Sequence, residues 1–348
     1  MRVRCAPAIR ALPMAACFAV AAFAASSGPA HADDRSRVTL LEENDSLYFN
    51  SDKHYTQGFR FSYLGPDVEH DSFWNGPFNL LGNIPTVFSD GGQERSRRYA
   101  LEFGQSIFTP KDIADVPPDP RDRPYAGWLY GGFSLLQDTD RRILENFEFQ
   151  AGLVGPGSLG KEVQNDFHQF IDIGQAQGWS SQLQNEPGVL ISYERKMRLS
   201  LLGNGKNGVD VIPEAGGTVG NVMTYAEIGG LLRIGKNLQA DYGPTRIRPS
   251  LSGTDYFNGD YLDGPFGFYI YAGVQGRAVG RNIFLDGNSF RSSRSVDKKD
   301  LVADLQAGFA LFWSTAVKVD FSVVRRTEEF YGQRTPDVVG TASLSFSW

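Results

Sequence analysis

The 348-residue chain has two cysteines, Cys5 and Cys17, and both fall in an N-terminal stretch that reads as a leader. Arg2, Arg4 and Arg10 precede an alanine-rich apolar run, roughly Ala11 to Ala25, and Ala30-His31-Ala32 supplies a small-residue cleavage site. Residues 1–32 are therefore expected to be a secretory signal peptide, with Asp33 as the mature start. Cys17 lies inside the apolar run rather than at its end, which argues against a lipoprotein. The exported chain then has no cysteine, so no disulfide can hold it, and core or sheet must do so alone.

A second absence is positive charge. With three of the 34 basic side chains in the leader and all 40 acidic ones outside it, the mature net charge is about −9. That balance argues against nucleic acid as a partner and against a generally basic membrane-binding surface. A third absence is any long apolar run. Nothing after Ala32 approaches the roughly 18 to 20 residues a membrane helix needs. A transmembrane β-barrel stays open, because its lipid face is spread over every second residue.

What is present is alternation. In "VVGTASLSFSW", Val338, Gly340, Ala342, Leu344, Phe346 and Trp348 alternate with Val339, Thr341, Ser343, Ser345 and Ser347. In "LVADLQAGFALFW", Leu301 through Trp313 form one apolar face while Asp304 and Gln306 point the other way; in "AVKVDFSVV", Val317, Val319, Phe321 and Val323 oppose Lys318, Asp320 and Ser322. Long strands with one polar and one apolar face, joined by short turns, mark an outer-membrane barrel rather than a soluble sandwich. Residues 33–348 are read as one all-β domain, a transmembrane antiparallel barrel of about twelve strands. The strands are expected near 37–44, 55–65, 97–108, 125–137, 142–154, 188–200, 207–215, 219–236, 265–281, 298–313, 315–327 and 338–348.

An even count puts both termini in the periplasm. Loops 45–54, 109–124, 155–187, 281–297 and 328–337, with a short one near 216–218, then lie outside the cell; turns at 138–141, 201–206 and 314 lie inside. Segments 66–96 and 237–264 fit less well: both are long and would be periplasmic or partly continue strands, and "SFWNGPFNLLGNIPTVF" reads as a short helix on the bilayer surface.

Polar groups of catalytic type converge on the outer rim. Asn44 and Asp45 end the first outward strand and Thr56 starts the returning one; Arg121, Asp122 and Arg123 precede the fourth; His168 lies in the longest outer loop. Taken singly, Asn-Asp is a turn signal, Asp-Arg-Pro a solvated ion pair and a loop histidine merely exposed. A helical pattern from Glu162 to Ile173, with Val163, Phe167, Phe170 and Ile171 packed inward, would fix His168, and Asp172 one turn on could orient its ring. His54 and His70 compete for the role of base; His70-Asp71-Ser72 has the H-x-S spacing of a barrel phospholipase but falls on the periplasmic side.

"ENDSLYFNSDKHYTQG", "GQSIFTP", "DRPYAG" and "GPGSLGKEVQNDFH…GWSSQL" together resemble the outer-membrane lipid A 3′-O-deacylase family (LpxR-type) over essentially the whole mature chain. The resemblance implies a twelve-stranded barrel that binds Ca²⁺ and removes the 3′-linked acyloxyacyl group of lipid A in the outer leaflet. By position, Asn44 and Asp45 match the strand-end pair, Thr56 the Tyr-Thr residue and His168 the catalytic histidine. The family enzyme first characterised has a Glu six residues beyond that histidine, where this chain has Gly174; Asp172 or Glu186 are the candidate substitutes.

Such chemistry needs a base near neutral pH, which His168 can supply to a water, and a hard cation on oxygen ligands to stabilise the oxyanion. Asp45 is the ligand candidate, Asn44 offers an amide, Thr56 positions substrate or water, and Arg121 and Arg123 can hold a lipid A phosphate through paired donors. No Ser-His-Asp pattern on a nucleophile elbow is visible, so water attack is favoured over an acyl-enzyme. The expected partners are lipid A or lipopolysaccharide and the outer-membrane bilayer, with the protein a monomer. Two alternatives stay open: a barrel phospholipase acting on glycerophospholipids, and a catalytically silent barrel of the same family.

Overall fold

The computed structural model describes residues 35–45, 53–89, 95–140, 142–170, 172–247 and 255–348; the expected signal peptide lies outside them. Thirteen strand segments follow one another: β1 (Arg37–Asn44), β2 (His54–Asp67), β3 (Arg95–Thr109), β4 (Ala126–Thr139), β5 (Ile143–Val154), β6 (Glu186–Met197), β7 (Leu199–Gly203), β8 (Asn207–Gly220), β9 (Met223–Lys236), β10 (Phe266–Asn282), β11 (Leu301–Trp313), β12 (Val317–Arg326) and β13 (Asp337–Ser347). Each pairs antiparallel with its neighbours, and β1 pairs with β13 from Arg37–Ser347 to Asn44–Gly340. β6 and β7 form a single stave: Lys196 lies opposite Glu214 and Leu199 opposite Val211, one register carried across Arg198. The sheet is thus a closed antiparallel barrel of twelve staves. Closure leaves no edge strand, so every ladder hydrogen bond of a membrane-buried backbone finds a partner.

The alternation in the sequence is resolved as expected. On β11 and β12, Asp304, Gln306, Lys318, Asp320 and Ser322 are buried in the lumen, while Leu305, Phe309 and Leu311 remain exposed on the outer wall. One expected boundary moves. The residues near 216–218 continue β8, and the reversal into β9 takes only residues 221–222. Three glycines in "AGGTVG" masked a strand that ladder pairing to β6 and β9 nonetheless holds.

The segment 237–264, expected to be periplasmic or partly to continue strands, is corrected more strongly, because its described residues, 237–247 and 255–264, turn into the lumen. Asp241, wholly buried, takes Arg233 Nη1 and Lys318 Nζ at 2.5 Å each and the Tyr269 hydroxyl at 2.9 Å. Tyr242 and Tyr256 both donate to Asp138, at 2.6 and 2.7 Å. Arg246 Nε reaches Glu43 near the opposite end of β1 at 2.7 Å. The reason is electrostatic: a row of inward charges must be paired once water is excluded, and the inserted chain supplies partners. Among the described residues, a cavity of about 30 Å³ under the long-loop end is lined by Tyr55, Trp128, Tyr130 and Phe284 among others, room for about one water.

Segment 66–96 is partly strand, since β2 runs on to Asp67 and β3 begins at Arg95; between them lies the expected short helix, α1 (Asn75–Leu81).

Candidate active site

The site begins on the outer wall. Glu43 points into the lumen, so its neighbours on β1, Glu42 and Asn44, point outward. Asn44 is nevertheless buried. At the corner that follows, the Asp45 amide bonds the Thr56 carbonyl at 3.4 Å, and Asp45 Oδ2 accepts the Lys53 backbone N–H at 2.6 Å. The β2–β3 register slips between Tyr55 and Gln57. This bulge sets the Thr56 hydroxyl 2.7 Å from that of Thr109, both buried; bulges re-aim side chains in this way beside functional sites.

The loop between β5 and β6 lies over the same wall. A 3₁₀ turn (Pro156–Ser158) leads into α2 (Gly160–Phe170). Gly155 N bonds Gly127 O at 3.0 Å and Gln105 Nε2 bonds Ser158 O at 2.6 Å, which ties the turn to β3 and β4. A Cβ on Gly127 would lie 2.0 Å from Ser158 Oγ, so only glycine allows this approach. Gly127 and Gln105 alternate with the lumen-lining Trp128 and Ser106, so α2 packs outside the barrel.

The inward face of α2 is the reverse of the expected one. Gly160, Gln164 and His168 are buried, whereas of the residues expected to pack inward Val163 and Phe170 are exposed and Phe167 is half-buried; Ile171 lies outside the described residues. The exposed side of the helix also carries Lys161, Glu162 and Asp166. Gln164 Oε1 accepts the Trp179 indole N–H at 2.9 Å.

Among the described residues, a backbone carbonyl orients the His168 ring. Its Nδ1 donates to the Gly174 carbonyl at 2.7 Å, which leaves Nε2 as the basic nitrogen of the neutral ring. The helix ends in a Schellman turn, with Ile173 N bonded to His168 O at 3.0 Å and Asp172 N to Gln169 O at 3.3 Å. Asp172 sits in the left-handed region at φ 58° and is exposed. The expectation that Asp172 orients the ring is thus corrected: it shapes the turn that brings the Gly174 carbonyl back.

The other expected residues separate. Arg121 is exposed and paired with Asp119 at 2.9 Å. Arg123 is wholly buried, its Nη1 3.4 Å from Glu329 and its guanidinium 4.8 Å from the Phe108 ring centre. His54 is buried and bridges two carboxylates: Nδ1 lies 2.7 Å from Asp337 at the start of β13 and Nε2 3.5 Å from Asp122 in the β3–β4 loop. Burial alone would raise the Asp122 carboxyl, but His54 and the Lys111 and Arg123 backbone amides hold it below the ordinary carboxylate range. Glu186 bonds Ser289 N at 2.8 Å and Asn288 at 3.1 Å, fastening another part of the rim. His70 is exposed at the opposite, short-turn end, just before α1.

The model of the outer-membrane protein LpxR family matches residues 12–348. The chain belongs to the LpxR family. Among solved structures, LpxR from Salmonella typhimurium aligns with a TM-score of 0.69 at 19% identity, covering 89% of this chain and 99% of that one. The β domain of the Bordetella autotransporter BrkA (TM-score 0.42, 11% identity, 90% and 98% covered) and the translocator domain of NalP from Neisseria meningitidis (0.37, 9%, 90% and 87%) also align. No curated protein sequence matches the chain.

Within this LpxR-family barrel, the sequence missed Thr109, Gln164 and the Gly174 carbonyl. Gln164 was findable, since it lies four residues before His168 and so one turn away on the same face. Thr109 becomes visible only through strand pairing. Among the described residues no group of three or more His, Cys, Asp or Glu side chains converges as a metal cluster. The Asp45 carboxylate and the Asn44 amide oxygen are hard donors, which suits Ca²⁺ over a softer metal.

Proposed function

We propose that this chain is a lipid A deacylase that hydrolyses the ester of the 3′-linked acyloxyacyl group. The observation that carries the reading is the buried polar stripe of α2. It holds His168, with its tautomer set by the Gly174 carbonyl, on the outer side of β3 and β4, at the same barrel end where β1 and β2 carry Asn44 and Thr56. His168 Nε2 takes a proton from water, which attacks the ester carbonyl; the same proton then goes to the departing hydroxyl of the glucosamine. Ca²⁺, when bound by Asp45 with Asn44, supplies positive charge near the carbonyl oxygen. Thr56, fixed by Thr109, positions the substrate. Arg121 is the arginine whose exposure suits a lipid phosphate, since Arg123 is committed to Glu329. A cleft of about 620 Å³ beside α2, lined by Lys161, Asn165, Gln175, Gln177 and Gln182, offers amides to sugar hydroxyls.

The long-loop end then faces outward, as in outer-membrane barrels generally, and the site meets lipid A where its headgroup lies. A second reading, the silent family barrel, is favoured by Gly174 in place of Glu. Mass spectrometry of lipid A from cells with and without the protein decides between them: loss of the 3′-linked acyl groups is expected. His168→Ala should lower the rate about 10²- to 10⁴-fold, the range of a general base, while the barrel still migrates heat-modifiably on gels. Unaltered lipid A with the parent protein rejects deacylation in favour of the silent barrel; release of fatty acid from glycerophospholipid instead selects the phospholipase.

A further inference from the structure

At the short-turn end, residues 68–89 leave the sheet and lie on its outer wall. Trp74 stacks on Tyr99 with ring centres 4.4 Å apart and planes at 9°, and it meets Phe133 at 6.2 Å. Phe78 is wholly buried against Phe88 and Leu135. Beneath them the wall is polar. Arg97 bonds Asn75, Asn79 and Gln137, and Glu145 accepts the Phe88 amide at 2.9 Å. Gln137 and Glu145 face away from the lumen yet are fully buried, because this segment covers them. Its own outward side carries Phe73, Leu80 and Ile84, exposed by 82%, 72% and 51%.

We propose that residues 68–89 form a membrane foot, whose outer face is covered by phospholipid of the periplasmic leaflet. The level of the foot is set by continuity with the aromatic girdle of the barrel. Tyr99 adjoins Tyr63 at 6.3 Å, and Tyr63 adjoins Trp348 at the same distance. Farther round this end, Phe266 and Trp313 lie 6.3 Å apart on the outer wall. Such girdles mark the boundary between hydrocarbon and headgroups. Trp74 docks into the girdle, so Phe73, Leu80 and Ile84 stand at that boundary, mixed with Asn79 and Asn83 as in other interfacial helices. The foot also shields polar wall residues that would otherwise meet lipid. That the covering leaflet is the periplasmic one rests on the orientation given above; that lipid covers the foot does not.

With both cysteines in the leader, one introduced thiol is unique in the mature chain. Leu80→Cys and Ile84→Cys, each labelled with an environment-sensitive fluorophore, report on this face from two positions in the mature barrel inserted into phosphatidylethanolamine–phosphatidylglycerol vesicles. Tyr331→Cys in a long-loop-end segment is the aqueous control. Quenching at both foot positions by lipids with doxyl groups near the headgroup, several-fold above the control, is the expected result. Quenching by aqueous iodide to the level of the control would overturn the proposal. So would protection that appears only as protein concentration rises, since a second copy would then be the cover.

Discussion

The turn after α2 allows the placing of His168 to be tested separately from its chemistry. Asp172 holds a left-handed conformation, and two hydrogen bonds, Ile173 N to His168 O and Asp172 N to Gln169 O, close the turn around it. A β-branched residue there costs roughly 1–2 kcal/mol more than one suited to this region. Each of the two hydrogen bonds contributes about 0.5–1.5 kcal/mol net. The penalty is thus comparable to what closes the turn, and Asp172→Val should displace the Gly174 carbonyl from His168 Nδ1. If the whole penalty reaches the transition state, kcat falls about 5- to 30-fold, at about 1.4 kcal/mol per tenfold. Asp172→Gly and Asp172→Asn, both at home in this conformation, should keep the parent rate within about twofold. The assay is release of fatty acid from purified lipid A by the detergent-solubilised barrel, with kcat separated from KM. Equal loss in the Gly, Asn and Val variants would refute the reasoning, because it would mean that the Asp172 carboxylate itself serves the ring.

A Cβ on Gly174 meets nothing within 4 Å, so Gly174→Glu should fold normally; a rise in deacylation would show that the family's glutamate is the missing element, and an unchanged rate that the carbonyl suffices. If Asp45 binds Ca²⁺, chelation should abolish hydrolysis and Asp45→Asn should raise the Ca²⁺ concentration needed for half-maximal rate, while full activity in chelator excludes the role. Because the Asp122 carboxyl is held below its ordinary value, its stabilising contribution is complete above the unfolded value of about 4 and is lost as pH falls through the lower folded one. Hydrogen exchange of residues 110–125, corrected for its intrinsic pH dependence, should therefore stay slow down to about pH 4 and rise below it; loosening already near pH 6 contradicts the His54 bridge.

The barrel was legible in the sequence because strand alternation is local: whether Lys318 or Val319 faces lipid depends only on the parity of the strand. The strand-end residues were legible for a similar reason, since Asn44, Asp45 and Thr56 lie at the ends of recognisable runs. Three things depended on the tertiary structure. Segment 237–264 looked like a long exterior connection until the lumen charges of Asp138, Arg233 and Lys318 gave it partners, and such pairing across the barrel leaves no periodic trace. The apolar residues of α2 were expected to face the protein, because sequence periodicity finds an amphipathic face without saying what solvent meets it. In the structure Gln164 and His168 turn inward, while Val163 and Phe170 face outward beside Lys161, Glu162 and Asp166. Finally, the partner of His168 Nδ1 is a main-chain carbonyl. Every residue has one, so its identity cannot be read from side chains and is decided only by where the turn at Asp172 aims it.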